Sequence, residues 1–567
     1  MKSLLLSVVS RLGALLVALP LAISCPPQAH GQTLPFATQQ QIDSVFARWN
    51  NPTSPGAVLG VVHHGHLVYQ RAYGQANLAR QEPLTTAHRF WVASMAKQFT
   101  AASIALLAEQ GKLGLDDDIR RYLPELPWLG DTVRIRHLVH HTSGLRDGFT
   151  LIGLTLRGER HYTNANVLAM LRKQRGRNFR PGERHEYNNG GYVLLAEIVA
   201  RVSRQSFAAF TEQHIFRPLG MTHTRFEGQL SAAIPHLATG YAVRYPHGQP
   251  RYHAAHFRGH TVGSSGLVTT LADLVRWDQN FYQNQLGQRR PELLQLLLTP
   301  GRLTDGTSTG YAFGLEVTPY RGQPAITHNG TDPGYQAEIV RLPRQQLTLI
   351  CLANTQNLYG LTQQLFRLAE QLTPAAFDPR PAPTTPDRPR ADLAGIYLEP
   401  RSLATVRILT LRDSTWHAAA STQGYARPLR STGPDNYVNQ GLGEYSYAFG
   451  RAENGPVQEL RYRERSAAAT LHKTAPATLT PAELRGFAGR YYSPELNQQY
   501  RLTVRRGQLR LSLYRLVHVP LQPLAGNRFL ADLQGHNCLA FQRDQAGTLT
   551  GFTFHREAIN GLIFRRR

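Results

Sequence analysis

Two patterns of hydrophobic positions divide the chain. Apolar residues fill Ala57 to His63 and Leu67 to Tyr73, with His64-Gly65 between them, which predicts two strands joined by a tight hairpin. A helical pattern starts near Ser94, runs through Ile104, Ala105, Leu106 and Leu107, and ends at Gly111. A second helical pattern carries Val193, Leu194, Ile198, Val199 and Val202 on one stripe from Gly190 onward. Strand patterns return at Ala325 to His328, Gln336 to Leu342 and Leu347 to Leu352, before a last helix over Leu361 to Leu372. Strands at both ends with helices between predict one sheet built from N- and C-terminal segments, with a helical insertion.

Beyond Leu372 the pattern changes. Pro374, Pro379, Pro381, Pro383, Pro386 and Pro389 fall in a short polar stretch that reads as a semi-rigid linker. Strict alternation then takes over: Tyr500, Leu502 and Val504, a turn at Arg506-Gly507, then Leu509, Leu511 and Leu513, with Phe552 and Phe554 later. The tail also repeats itself. Leu393-Ala394-Gly395-Ile396-Tyr397 with Pro400 matches Phe487-Ala488-Gly489-Arg490-Tyr491 with Pro494, at one constant offset for Gly, Tyr and Pro. That is a domain duplication. The expected layout is a leader at 1–31, a catalytic-sized domain at 32–375, a linker at 376–390, a β domain at 391–473, a joint at 474–481 and a second β domain at 482–567.

The leader reads as an export signal. Lys2 and Arg11 precede an apolar stretch from Leu12 to Ile23, and Ala29-His30-Gly31 offers a small-x-small cleavage site before Gln32. Ala22-Ile23-Ser24-Cys25 offers a second route, lipidation of Cys25, so an anchored form stays open. No later segment is apolar enough to predict an integral span. The net charge of +24 comes almost wholly from dispersed Arg, with lysine only at 2, 97, 112, 173 and 473. Without a dense basic run or a nucleic-acid motif, no nucleic-acid partner is expected. Cys351 and Cys538 lie in separate domains and read as buried thiols. His63, His64 and His66 form no metal motif, because the first two should point to opposite strand faces.

Three groups carry candidate chemistry. In Ser94-Met95-Ala96-Lys97 a helical turn holds an amine beside a hydroxyl, and a desolvated lysine can take the serine proton. In Tyr187-Asn188-Asn189-Gly190-Gly191-Tyr192 a tyrosine can relay a proton and Asn189 can hold the lysine or a substrate carbonyl. At His328-Asn329-Gly330-Thr331 a strand edge can pair with a peptide-like substrate, and the Thr331 N–H can join that of Ser94 as an oxyanion hole.

In this order the three groups resemble the motifs of the serine β-lactamase and penicillin-binding superfamily, in its class C and D-aminopeptidase branch. Supporting stretches are His137 to Leu145, Phe216 to Met221 and Gly266 to Thr270, and the resemblance spans about residues 35–373. It implies an α/β fold, an antiparallel sheet flanked by helices, followed by two small antiparallel β-barrels. It also implies a serine hydrolase with catalytic Ser94, Lys97 and Tyr187, substrate-binding Asn189, His328, Gly330 and Thr331, and no metal or organic cofactor. The substrate would be a small peptide, amide or ester, and a periplasmic or secreted location is expected. Class C β-lactamases have Lys-Thr-Gly where this chain has His328-Asn329-Gly330, a form found in D-aminopeptidases and some esterases of the family, which counts against a dedicated antibiotic-degrading enzyme; a D-amino-acid peptidase is the leading expectation. An esterase or weak β-lactamase, and a non-hydrolytic penicillin-binding or cell-wall-binding protein, are the alternatives.

Overall fold

The computed structural model describes residues 34–155, 162–228, 234–246, 249–255, 259–356, 358, 360–379, 391–419, 426–439, 445–451, 455–464, 467–513, 516–533 and 536–567. The leader with Cys25, and positions 380–390 of the linker, lie outside them.

A six-stranded antiparallel sheet organises the first domain. Its strands are β1 (Ala57–His63), β2 (His66–Tyr73), β3 (Glu316–Tyr320), β4 (Gln323–Asp332), β5 (Tyr335–Leu342) and β6 (Leu347–Ala353), in the order β3-β4-β5-β6-β1-β2. The two ends of the domain meet where β1 pairs with β6, Ala57 opposite Ala353. Alternation decides which side chain meets which layer. Ala57, Leu59 and Val61 pack with Leu349 and Cys351 against helices α1 (Phe36–Phe46) and α4 (Leu361–Leu372). Val58, Val62, Ile350 and Leu352 face the helical lobe that holds α2 (Lys97–Glu109) and α3 (Asn189–Ser203).

The turn after β1 departs from expectation. His64 leaves the strand with φ of 50°, so its ring swings beside that of His63, with centroids 4.2 Å apart, instead of pointing to the other face. Strand β4 is also longer than its apolar core, because polar His328 to Asp332 continue the pairing with β5 down to Asp332 opposite Tyr335.

The tail forms two closed eight-stranded antiparallel barrels, the first from Gly395–Leu398 to Ala467–Thr474, the second from Gly489–Ser493 to Ile559–Arg566. The repeated tyrosine performs the same task in each. Tyr397 donates to Leu393 O at 2.9 Å, and Tyr491 donates to Phe487 O at 2.8 Å. The joint is tied to the second barrel by Ala477 N–H donating to Pro523 O at 3.0 Å. Thr480 then caps a short helix, Pro481–Gly486, inside a tail that the alternation alone reads as all strand.

The second barrel docks directly on the catalytic domain. Arg146 and Glu495, each with 3% of its side chain exposed, form an ion pair at 2.6 Å. Arg146 also donates to Asn560 O and Gly561 O, both at 3.0 Å, and Tyr500 donates to Leu154 O at 2.9 Å. The first barrel packs on the second through Ile396, Leu398 and Val406 against Leu524, Leu530 and Cys538.

Candidate active site

The turn that carries Ser94 is strained and closely approached by β4. Ser94 lies in a short 3-10 turn, Ala93–Ala96, that leads into α2, and Ala93 holds φ of 47°, a strained value for a residue with a Cβ. Gly330 on β4 lies against this turn. A Cβ there would sit 2.1 Å from Val92 O and 3.0 Å from Ser94 N, so only glycine lets the strand come this near the serine N–H. Pairing of β3 with β4 stops at Thr327, so His328 to Asp332 run on past β3 beside the serine.

Lys97 is wholly buried, and its Nζ lies 3.0 Å from Ser94 Oγ, 2.8 Å from Asn189 Oδ1 and 2.8 Å from Ser264 O. The last two atoms can only accept. A neutral amine therefore spends its two hydrogens on them and aims its lone pair at the serine hydroxyl, the orientation a base requires. Burial pushes the amine down to about 7, against the pull of Asp332 and Asp147. The Tyr187 ring centroid is 4.8 Å from Nζ.

Ser94, Lys97, Tyr187, Asn189 and Gly330 thus come together from three separated segments. The other two expected site residues stand differently. His328 is 2% exposed and turns to Tyr311, whose hydroxyl is 3.0 Å from Nε2. Its Nδ1 lies 2.7 Å from Asn329 O, which can only accept, so Nδ1 carries a hydrogen and donates it there. Its side chain packs against the Tyr311 ring, with centroids 5.8 Å apart. Thr331 has an exposed side chain on the opposite strand face from Gly330, which leaves its backbone as the part next to the turn.

Several participants escape sequence reasoning. The Ser264 carbonyl reaches Lys97 because Gly263, with φ of 103°, folds its loop onto α3, where a Cβ would lie 2.5 Å from Tyr192 O. The run Gly263-Ser264-Ser265-Gly266 was the available signal. His141 Nδ1 accepts the Asn188 N–H at 3.1 Å, and its ring packs 4.3 Å from that of Tyr187. Burial first, then neighbouring positive charge, holds His141 well below the usual histidine range. Asp147 caps its own helix and accepts the Gly190 N–H at 2.8 Å, so it fixes the start of α3.

The sequence profile named Beta-lactamase matches residues 43–373, the segment that carries this whole arrangement. The chain belongs to the Beta-lactamase family. Within it, the chain is 32% identical to penicillin-binding protein 4* of Bacillus subtilis over 320 residues, 54% of this chain and 70% of that protein. It is 25% identical to the D-aminopeptidase of Brucella ovis over 540 residues, 92% of this chain and 98% of that one, so the match runs through both barrels. Among solved structures, the octameric penicillin-binding protein homologue from Pyrococcus abyssi has the same fold, with a TM-score of 0.54, 21% identity and coverage of 77% of this chain and 98% of that one. The D-amino acid amidase from Ochrobactrum anthropi superposes with a TM-score of 0.50 at 22% identity, covering 60% of this chain and 99% of its own. The protein is a serine hydrolase of this Beta-lactamase-related family.

Proposed function

We propose that the protein is an exported D-amino-acid peptidase of the D-aminopeptidase type, working through an acyl-enzyme on Ser94. The observation that carries this reading is the buried Lys97 amine, 3.0 Å from Ser94 Oγ and held by two obligate acceptors. Lys97 and Tyr187 take the hydroxyl proton, and the serine oxygen attacks the scissile carbonyl. Negative charge on the carbonyl oxygen is met by the N–H groups of Ser94 and Thr331. The proton passes through Tyr187 to the departing amine, the C–N bond breaks, and water then hydrolyses the ester on Ser94. Asn189 holds Lys97, and β4 beside Gly330 offers a backbone edge to the substrate.

The peptidase reading is supported by the alignment with D-aminopeptidase over 92% of this chain, barrels included. It is supported too by His328, which stands where a lysine would supply a fixed positive charge for a substrate carboxylate. Export is supported by the sequence of the leader, and among the described residues no helix is long and apolar enough to cross a membrane. The test is a panel of D-aminoacyl p-nitroanilides, p-nitrophenyl esters and nitrocefin, with Ser94→Ala as control. Turnover of the anilides, lost in Ser94→Ala together with fluorophosphonate labelling, is expected. Ester turnover alone, or labelling of Ser94 without any turnover, overturns the peptidase reading.

A further inference from the structure

Two carboxylates oppose the loss of charge on Lys97, and they differ in what they hold. Asp147 is fully engaged: its oxygens accept from Thr150 N at 2.8 Å, Thr150 Oγ1 at 2.8 Å and Gly190 N at 2.8 Å. Asp332 is not. Its Oδ2 is buried and has no hydrogen-bond partner among the described residues. The Lys97 amine acts on it electrostatically when charged, yet the hydrogen bonds of that amine go to Ser94, Asn189 and Ser264. A buried carboxylate oxygen without a donor is costly, and it persists where a ligand supplies one.

Its placement says which ligand. Residues two apart on a strand share a face, so His328, Gly330 and Asp332 lie on one side of β4, the side where Gly330 meets the Ser94 turn. Two residues along a strand span about 7 Å. The aspartate side chain together with the short distance from a carbonyl carbon to an α-ammonium group covers that span. Tyr162 lies close enough to feel the Asp332 charge.

We propose that Asp332 is the specificity residue for the free ammonium group of the substrate, so that the site selects an acyl unit with a cationic nitrogen next to the scissile carbonyl. This rests on the amino-terminal peptidase reading above and deepens it. The carboxylate accepts from the ammonium, anchors the acyl half of the substrate, and leaves the amide nitrogen to depart from the open side.

The experiment compares the full chain with Asp332→Asn, and with Asp332→Glu as the conservative variant. Two substrates are used, D-alanine p-nitroanilide and p-nitrophenyl propionate, which keeps the carbonyl and omits the nitrogen. Free D-alaninamide is also tested as an inhibitor of propionate ester turnover, and fluorophosphonate labelling of Ser94 reports that each variant is folded. The ratio of kcat/KM for the anilide over the ester should fall about thirtyfold in Asp332→Asn, the size expected when one partner of a desolvated charge pair is removed. Part of the ratio should return in Asp332→Glu. The D-alaninamide inhibition constant should rise by a similar factor. Parallel loss on both substrates, with an unchanged ratio, overturns the proposal and makes Asp332 a residue that acts through Lys97. An unchanged ratio and inhibition constant with full activity overturns it as well. If the wild-type protein cleaves esters only, but D-alaninamide inhibits it and Asp332→Asn abolishes that inhibition, the ammonium subsite stands and the peptidase reading falls.

Discussion

The two barrels share a repeat, a corner tyrosine and a strand count, yet they use equivalent positions for different attachments. The residue opposite the corner tyrosine is Arg407 in the first barrel and Tyr500 in the second. Arg407 reaches Glu557 of the second barrel at 3.0 Å, whereas Tyr500 donates to Leu154 O of the catalytic domain. The residue after the repeated proline is exposed Arg401 in one and buried Glu495, paired with Arg146, in the other. One scaffold was thus duplicated, and contact residues outside the repeated motif let the second copy dock on the catalytic domain at Arg146 and Leu154. Arg146 precedes Asp147, whose carboxylate positions Gly190 beside Asn189, so barrel and catalytic amine are linked by short covalent and hydrogen-bonded steps.

The sharpest way to break this asymmetry is Glu495→Ala. It leaves the Arg146 guanidinium buried without its counter-charge, which should cost about 3–5 kcal/mol of stability. Denaturant unfolding should show a large fall in midpoint, and kcat/KM should fall with it. A variant that unfolds like the wild type would mean that the second barrel does not brace the catalytic domain.

The same variant offers a pH test. In the mechanism proposed above Lys97 is a base only when neutral, and burial lowers its pKa to about 7. Below that pH the amine is protonated and inactive, so kcat/KM should rise with pH through about 7 and then level. Any loosening of the catalytic domain that admits water weakens the desolvation and raises the Lys97 pKa. In surviving folded Glu495→Ala, the rising limb should move to higher pH, followed by the rate of fluorophosphonate labelling. In Glu557→Ala the limb should stay in place.

The fold and most of the site were legible in the sequence because they rest on local periodicity. Strands β1, β5 and β6, helix α4 and the barrel repeat follow from spacing that any single window displays. The short spacings set Lys97 one turn from Ser94 and Asn189 just after the Asn188 cap, so each motif brings its residues together locally. What escaped were contacts between distant segments. The Ser264 carbonyl carries no side-chain signal at all, and Asp332 lies just past the His328 to Thr331 group that the sequence singles out. Arg146 and Glu495 are unremarkable in a chain rich in Arg until folding buries both.

A smaller effect separates the two tyrosine hydroxyls that close on carbonyls. Tyr397→Phe and Tyr500→Phe each leave one buried carbonyl without its donor, at a cost of about 1 kcal/mol. The hydroxyl of Tyr397 serves its own barrel, that of Tyr500 the catalytic domain. Both should lower the unfolding midpoint by similar amounts, and only Tyr500→Phe should also lower kcat/KM. Equal activity in the two would argue that docking through Leu154 does not reach the site.

The smallest effect belongs to the tie between the barrels. Arg407 has 6% of its side chain exposed, but Glu557 has 60%, so solvent already screens the pair. Exposed pairs contribute about 0–1 kcal/mol. Glu557→Ala should therefore change unfolding by less than about 1 kcal/mol, and less still at high salt. Arg407 keeps its bond to Val406 O and its stacking over the Tyr462 ring, 4.1 Å from the centroid, so its guanidinium is not stranded by the loss. That is the physical difference from Arg146, whose remaining partners are neutral amide oxygens in a dry interface. A measured loss for Glu557→Ala as large as that for Glu495→Ala would show that both barrels bear equally on the catalytic domain.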